Sequence, residues 1–104
     1  MTIKLINRGT EGEVLLQGRL DSFSAPEAEP ILTEVAGRFD RLILNMNELE
    51  YVSSAGLRII KNLHMAMRKR EGELILTNVG KMVMEVFEMT GFVSLLRIEE
   101  SKNS

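Results

Sequence analysis

Residues 42–57 read LILNMNELEYVSSAGL, and this stretch decides the fold. Its first five residues, Leu42 to Met46, are too few for a helix and mostly apolar on both faces, which is typical of a central strand covered by helices on each side. Its last seven, Tyr51 to Leu57, carry two serines and a glycine where a long amphipathic helix begins. The sequence therefore predicts a buried strand that leads into a helix N-terminus.

Ser53 and Ser54 lie at this predicted N-terminus. The N–H groups of a first helical turn have no intrahelical partner and the helix dipole is positive there, so a phosphate is accommodated at modest electrostatic cost. Serine at such a position is usually a simple cap. Gly56, however, lowers helix stability by roughly 0.5–1 kcal/mol relative to alanine. A glycine at this cost suggests that something approaches closely where a side chain would be. Two interpretations stay open, a capping pair and a place where a ligand approaches closely.

The composition indicates one ordinary globular domain. The chain has 104 residues, of which 44% are hydrophobic and 27% charged, and its net charge is −2. This charge gives no electrostatic footprint for nucleic acid or an anionic membrane. The absence of cysteine fits a reducing cytosol, and no stretch approaches the roughly 18 apolar residues of a membrane span. We expect a single cytoplasmic domain over residues 1–100 and a flexible tail at residues 101–104.

The N-terminal part of the chain predicts a hairpin followed by a helix. Residues 2–6 and 13–20 are β-prone and flank a glycine-bearing turn, which favours antiparallel pairing. Ser24-Ala25-Pro26-Glu27 has the form of a capping box. Because Pro30 lies deep in the predicted helix, we expect a kink or a delayed start. Apolar residues follow at helical spacing, up to about Gly37, and we expect them on one buried face: Ala28, Ile31, Leu32, Val35 and Phe39.

The rest of the chain alternates helices and strands. A helix is predicted from about Ser54 to Glu71, with the basic run at residues 68–70 offsetting the helix dipole and Gly72 as a left-handed C-cap. We interpret this basic run as structural rather than as a nucleic-acid site. A strand at residues 74–76, a helix from Lys81 to Met89 and a strand at residues 95–98 complete the order. This alternation favours parallel crossovers.

The residues do not assemble a catalytic site. The only histidine, His64, lies ten positions after Ser54 on the same predicted helix, or roughly 15 Å away, so it cannot activate that hydroxyl. Without cysteine or an HExxH pattern, His64 is best interpreted as an ordinary helix residue. Gly80-Lys81-Met82 lacks the upstream glycine and the Ser/Thr of a phosphate loop. We expect no metal, no cofactor and no enzyme activity.

Two further features keep alternative interpretations. Asp21, directly after the second strand, is either a turn former or a functional acid. Five methionines are either core filler, which is the commoner role, or an adaptable contact surface. They are Met65, Met67, Met82, Met84 and Met89.

The chain resembles, nearly end to end, the small bacterial STAS-domain proteins that act as anti-sigma factor antagonists. Residues 18–21 (GRLD) with Ser24-Ala25-Pro26 are similar to that family's Gly-x-Leu/Ile-Asp segment and its Thr/Ser-Ala-Pro helix start. Residues 51–57 are similar to the family's phosphorylation loop, and residues 86–92 resemble its final helix and exit. The resemblance implies an α/β fold: a mixed sheet of about five strands, with an N-terminal antiparallel hairpin and parallel βαβ units, and about four helices.

The same resemblance implies a phosphorylation-controlled partner switch. An anti-sigma factor with a histidine-kinase-like ATPase fold phosphorylates the serine two positions before the glycine, which is Ser54 here. The unmodified protein binds the anti-sigma factor and frees the sigma factor, and a PP2C-type phosphatase reverses the modification. Many members have an acid where this chain has Ser53, which leaves Ser53 as a rival acceptor. The implied partner-binding residues are Asp21, Ser22, Ser24, Ser53, Ser54, Ala55, Gly56 and Arg58.

Two other functions stay open. A stand-alone STAS domain also serves as an accessory subunit of a membrane lipid transporter, or as a regulator of another signalling output. A small enzyme or nucleotide-binding protein is the second alternative, although no base, metal set or phosphate loop supports it.

Overall fold

The structure, a computed structural model, describes residues 1–99, so the tail predicted at residues 101–104 lies outside the described residues. Its five strands form one sheet in chain order, antiparallel between the first two and parallel between all later neighbours. The predicted mixed sheet with an N-terminal hairpin is confirmed. Along the chain the elements are β1 (Thr2–Arg8), β2 (Glu11–Leu20), α1 (Ala25–Ala36), β3 (Arg41–Val52), α2 (Ser54–Lys69), β4 (Glu73–Thr77), α3 (Lys81–Thr90), α4 (Phe92–Leu95) and β5 (Arg97–Glu99).

The apolar core lies on one face of this sheet. In β3, the middle strand, Leu42, Leu44 and Met46 are fully buried and alternate with partly exposed residues. Helices α1, α2 and α3 pack their apolar sides onto that face, and residues such as Leu32 and Phe87 join the strand residues in one continuous cluster. Burial of this cluster is the main driving force for folding.

The opposite face of the sheet carries polar side chains beside apolar ones such as Ile43 and its pairing partner Ile75, and the prediction that helices cover both sides of β3 is wrong. Arg41 lies 3.5 Å from a carboxylate oxygen of Glu11 on β2, and the amide of Asn45 donates to Glu13 at 3.0 Å. Only Ile43 separates these two polar side chains along this face of β3. The alternation of buried and partly exposed residues is that of a sheet with one solvated side.

The start of helix α1 differs from the predicted capping box. Ser24 has helical backbone angles and makes no side-chain cap hydrogen bond. Its hydroxyl instead donates to the carbonyl oxygen of Arg19 at 2.7 Å. The capping-box prediction is wrong because this hydroxyl is engaged by the end of β2.

Two further predictions about α1 need correction. The helix begins at Ala25, before Pro30, and continues through it, so the delayed start is wrong. Ile31 was expected on the buried face, but it is 43% exposed while its neighbour Leu32 is fully buried. The buried stripe of α1 is therefore narrower than predicted.

Helix α2 ends at Lys69, two residues before the predicted end. The left-handed residue after it is Glu71, with φ 63°, and not Gly72. A Cβ atom on Gly72 would lie 2.8 Å from the carbonyl oxygen of Asp40. Glycine is needed here for close packing rather than for a left-handed cap, so the predicted role of Gly72 is wrong.

The C-terminal elements follow the predicted order with one addition. Gly91, with φ 79°, ends α3 as expected. The four-residue helix α4 follows at once and contains Leu95, so the strand predicted from Leu95 begins only at Arg97. A helix of one turn is too short to produce a periodic hydrophobic pattern.

The methionines divide between the two interpretations. Met67 is fully buried and fills the core. Met65, Met82 and Met89 are 56%, 70% and 86% exposed, so the core-filler interpretation is wrong for these three.

Candidate functional site

The candidate site lies where β2 and β3 end side by side. The pairing of these strands shifts register twice between Leu15 and Arg19, because β3 contains extra residues there. Such irregularities re-aim the end of a strand. They place Val52 opposite Leu20, and the N–H of Ser53 donates to the carbonyl oxygen of Leu20 at 2.9 Å. The start of α2 is thus held against the exit of β2.

The two serines at this junction have different environments. Ser53 is the N-cap of α2 and partly buried, and its hydroxyl oxygen accepts a hydrogen bond from the N–H of Gly56 at 3.4 Å. Ser54 is the first residue of α2 and is exposed. Within residues 1–99 its hydroxyl makes no hydrogen bond. A phosphoryl group on the Ser54 oxygen would therefore break no contact of the folded chain.

Gly56 is buried in the first turn of α2. A Cβ atom there would meet the carbonyl oxygen of Leu20 at 2.7 Å and a methyl group of Val52 at 2.8 Å. The interpretation that Gly56 leaves room for a ligand is wrong, because the ends of β2 and β3 occupy that room. Gly56 acts on the site by letting the strand ends approach the helix.

Asp21 forms the turn that joins β2 to α1. One of its carboxylate oxygens accepts the N–H groups of Phe23 at 3.0 Å and Ser24 at 3.1 Å. The N–H of Ser24, with help from the N–H of Phe23 and from Arg19, holds the pKa of the Asp21 carboxyl below its usual value. Asp21 is thus a turn former that also keeps an ionised carboxylate at the same end of the sheet as Ser54.

Three of the four remaining predicted partner-binding residues meet in a groove between α1 and α2, and Ser24 is the exception. Ser22, Ala55 and Arg58 line this groove together with Pro26 and Glu29. Ser22 and Arg58 are exposed. The structure therefore brings Ser22, Ala55 and Arg58 to one surface beside Ser54, while the Ser24 hydroxyl is engaged within the turn.

Sequence reasoning missed two aromatic residues at this end of the sheet. Phe23 is 93% exposed at the top of the Asp21 turn. The guanidinium of Arg19 lies 4.3 Å from the ring centre of Tyr51, which is 37% exposed. The available signal was a phenylalanine inside the short polar run Asp-Ser-Phe-Ser, where an apolar side chain has no core position to fill.

His64 is on the inner side of α2, away from this end of the sheet. It is 9% exposed, and its Nε2 atom has no hydrogen-bond partner within the described residues. Burial, and secondarily the nearby Arg68 cation, lower the pKa of its imidazole. Residues 1–99 contain no cluster of three side chains suited to a metal ion. No helix in this part of the chain has the length and apolarity that crossing a bilayer requires.

Two proteins named as antagonists of anti-sigma factors are similar to this chain in sequence. BtrV of Bordetella bronchiseptica, which is named as an anti-sigma factor antagonist, is 36% identical over 93 residues, or 86% of this chain and 78% of that protein. The anti-sigma-B factor antagonist of Staphylococcus aureus is 29% identical over 89 residues, covering 85% of this chain and 82% of that protein.

Solved structures share the fold. The anti-sigma factor antagonist SpoIIAA in its unphosphorylated form has a TM-score of 0.76 at 16% identity, over 98% of this chain and 91% of that one. The phosphorylated form of the Bacillus protein gives 0.77 at 17% identity, over 97% and 92%. The family model of the STAS domain matches residues 5–104. With the five-stranded mixed sheet and four helices described above, this match shows that the chain belongs to the STAS domain family.

Proposed function

We propose that this protein is an anti-sigma factor antagonist whose binding to an anti-sigma factor is switched off by phosphorylation of Ser54. The observation that carries the proposal is the exposed and unbonded hydroxyl of Ser54 on the first residue of α2. The names of the two relatives support the antagonist role. The existence of SpoIIAA in a phosphorylated form supports the modification.

Ser54 suits a kinase better than Ser53. The Ser53 oxygen caps α2 through the N–H of Gly56, so a phosphoryl group on it would disturb the helix start. Ser54 is exposed, and the positive end of the α2 dipole and the exposed Arg58, one turn later, favour negative charge there. Phosphorylation of Ser54 is therefore compatible with an unchanged fold.

Release of the partner follows from charge. A phosphoserine carries about −1.5 to −2 charges at neutral pH. Burying that charge against a partner without a matching cation costs several kcal/mol, and about 3 kcal/mol already weakens binding more than a hundredfold. The ionised carboxylate of Asp21 lies at the same end of the sheet, so it adds to the negative charge that the partner would have to cover.

In this proposal the anti-sigma factor is also the serine kinase, with a histidine-kinase-like ATPase fold, and a PP2C-type phosphatase restores the binding form. The protein acts in the cytoplasm as a ligand and a kinase substrate, not as an enzyme. Its proposed site residues are the exposed Ser54 as the acceptor, and the exposed Ser22 and Arg58 with the partly buried Ala55 as partner contacts in the groove.

Phosphosite mapping tests the acceptor. Candidate histidine-kinase-like ATPases and ATP are incubated with the wild-type chain, with Ser53→Ala and with Ser54→Ala, and the phosphate is located by mass spectrometry. We expect one phosphate, on Ser54, in the wild type and in Ser53→Ala, and none in Ser54→Ala. A phosphate on Ser53 in the wild type would overturn the assignment.

A further inference from the structure

Phe23 is the most exposed large apolar side chain within residues 1–99, at 93%. A single exposed apolar residue is common and needs no explanation by itself. The position of Phe23 is nevertheless unusual. Asp21 and Ser24, on either side of it in the turn, are hydrogen-bonded to each other, while the Phe23 ring makes almost no contact with the protein.

The turn that carries Phe23 is held by a closed set of hydrogen bonds. The N–H of Asp21 donates to the hydroxyl of Ser24 at 3.0 Å, and the carboxylate of Asp21 accepts the N–H of Phe23 at 3.0 Å. The N–H of Ala25 donates to the carbonyl oxygen of Asp21 at 2.8 Å. The backbone on both sides of Phe23 is therefore fixed before any partner arrives, which lowers the entropy cost of binding through its side chain.

The same turn stands beside Ser54. Leu20, which precedes the turn, accepts the N–H of Ser53, and Ser22 lines the groove that Ala55 and Arg58 also line. Phe23 directly follows Ser22 and Ser54 directly precedes Ala55, so each is the chain neighbour of a residue that lines this groove.

We propose that Phe23 is the apolar anchor of this docking face and inserts its ring into an apolar pocket of the anti-sigma factor. This inference rests on the proposed function. Aromatic residues are enriched at interface centres and carry a large share of binding energy there. Arg58, an exposed cation with no ion pair within residues 1–99, favours an acidic or hydrogen-bond-accepting group beside that pocket. In this proposal the Phe23 ring supplies affinity for the anti-sigma factor, and phosphorylation of Ser54 controls whether the anti-sigma factor binds.

Calorimetric titration of the anti-sigma factor with four full-length chains tests the inference: wild type, Phe23→Ala, Met89→Ala and Ser54→Asp. We expect Phe23→Ala to bind at least about 30-fold more weakly, as for an interface hot spot. Met89→Ala is the matched control, since Met89 is an 86% exposed apolar residue on α3, and it should bind within about threefold of wild type. Thermal unfolding should be unchanged in Phe23→Ala because its ring contributes nothing to the core.

The outcomes separate the two proposals. If the wild type binds, Ser54→Asp weakens binding and Phe23→Ala binds like wild type, the Phe23 inference is wrong and the switch stands. If the wild type does not bind, the proposed function is wrong, and the Phe23 inference that rests on it is wrong as well. If Ser54→Asp binds as tightly as wild type, the proposed switch is wrong, and weaker binding of Phe23→Ala alone decides the Phe23 inference. If sedimentation shows that the wild type alone is a dimer and Phe23→Ala a monomer, the occupant is a second copy of this chain, and the inference is overturned.

Discussion

Leu20 and Gly56 are in direct backbone contact: a Cβ atom on Gly56 would lie 2.7 Å from the Leu20 carbonyl oxygen. The same carbonyl accepts the N–H of Ser53. The exit of β2 and the first turn of α2 are therefore packed too closely to admit a side chain at Gly56, where side-chain atoms of Leu20 and Val52 would also lie 2.8 Å from a Cβ atom. This contact fixes Ser54 relative to the Asp21 turn.

Replacing Gly56 with alanine should destabilise the protein. Alanine would gain roughly 0.5–1 kcal/mol from helix propensity, but the added methyl group collides with a backbone oxygen that has no rotamer to move to. Overpacking of this kind costs typically about 1–3 kcal/mol, so a net loss of stability is expected in urea unfolding. The control is Gly80→Ala, where a Cβ atom meets nothing within 4 Å. Equal midpoints for Gly56→Ala and wild type would refute the contact.

Alanine substitutions of Ser53 and Ser54 should change the free energy of unfolding by different amounts. Ser53→Ala removes the N-cap of α2 and should cost about 0.5–1 kcal/mol, at the lower end for a cap because the Ser53–Gly56 bond is 3.4 Å long. Ser54→Ala removes an exposed hydroxyl without a partner and should stay within about 0.5 kcal/mol of wild type. Chemical unfolding of both variants provides the comparison. A larger loss for Ser54→Ala would contradict the assignment of cap and acceptor.

Arg70 provides a test of the basic run at the end of α2. Its guanidinium donates to the carbonyl oxygens of Ala36 at 2.5 Å and Phe39 at 3.3 Å, where α1 ends. Arg70→Ala should lower the free energy of unfolding by about 1–2 kcal/mol, because those carbonyls lose a charged donor. Lys69→Ala, its exposed neighbour, should change stability by less than about 0.5 kcal/mol. Equal effects of the two substitutions would show that the run contributes only through its charge.

His64 should make stability depend on pH near neutrality. Its folded-state pKa is below the ordinary value of 6.5, first through burial and then through Arg68. The unfolded chain therefore binds more protons than the folded chain between those two pKa values. The contribution of His64 to the free energy of unfolding is fully present above pH 6.5, and it is lost as the pH drops from 6.5 toward the folded-state pKa. Urea unfolding from pH 7 to pH 5.5 should show this decline.

The control for this pH dependence is His64→Gln, which does not titrate. His64 is the only histidine of the chain, so the decline above pH 5.5 should largely disappear in the variant. Stability that rises as the pH falls in the wild type would mean that the folded state favours the protonated imidazole.

Much of the fold was predictable because its signals are local. The apolar run at residues 42–46 indicated the middle strand, and strands alternating with helices indicated parallel pairing. The polar side chains on the face of the sheet opposite the core were not predictable from that run. They depend on pairs such as Arg41 with Glu11 and Asn45 with Glu13, whose partners are about 30 positions apart in sequence.

The site divides in the same way. Serines before an amphipathic helix are a local signal, and both lie at the start of α2. The engagement of Ser24 by Asp21 and Arg19, and the exposure of Phe23 that follows from it, depend on how the end of β2 turns into α1. A capping-box pattern and a strand-to-helix turn contain the same residue types, so sequence alone favoured the wrong hydrogen bonds for Ser24.

The most direct test of the central claim is the affinity of one anti-sigma factor for two forms of the wild-type chain, unmodified and phosphorylated on Ser54. We expect tight binding of the unmodified form and binding at least a hundredfold weaker for the phosphorylated form, with the same circular dichroism spectrum for both. Equal affinity of the two folded forms would contradict the proposal that charge on Ser54 controls partner binding.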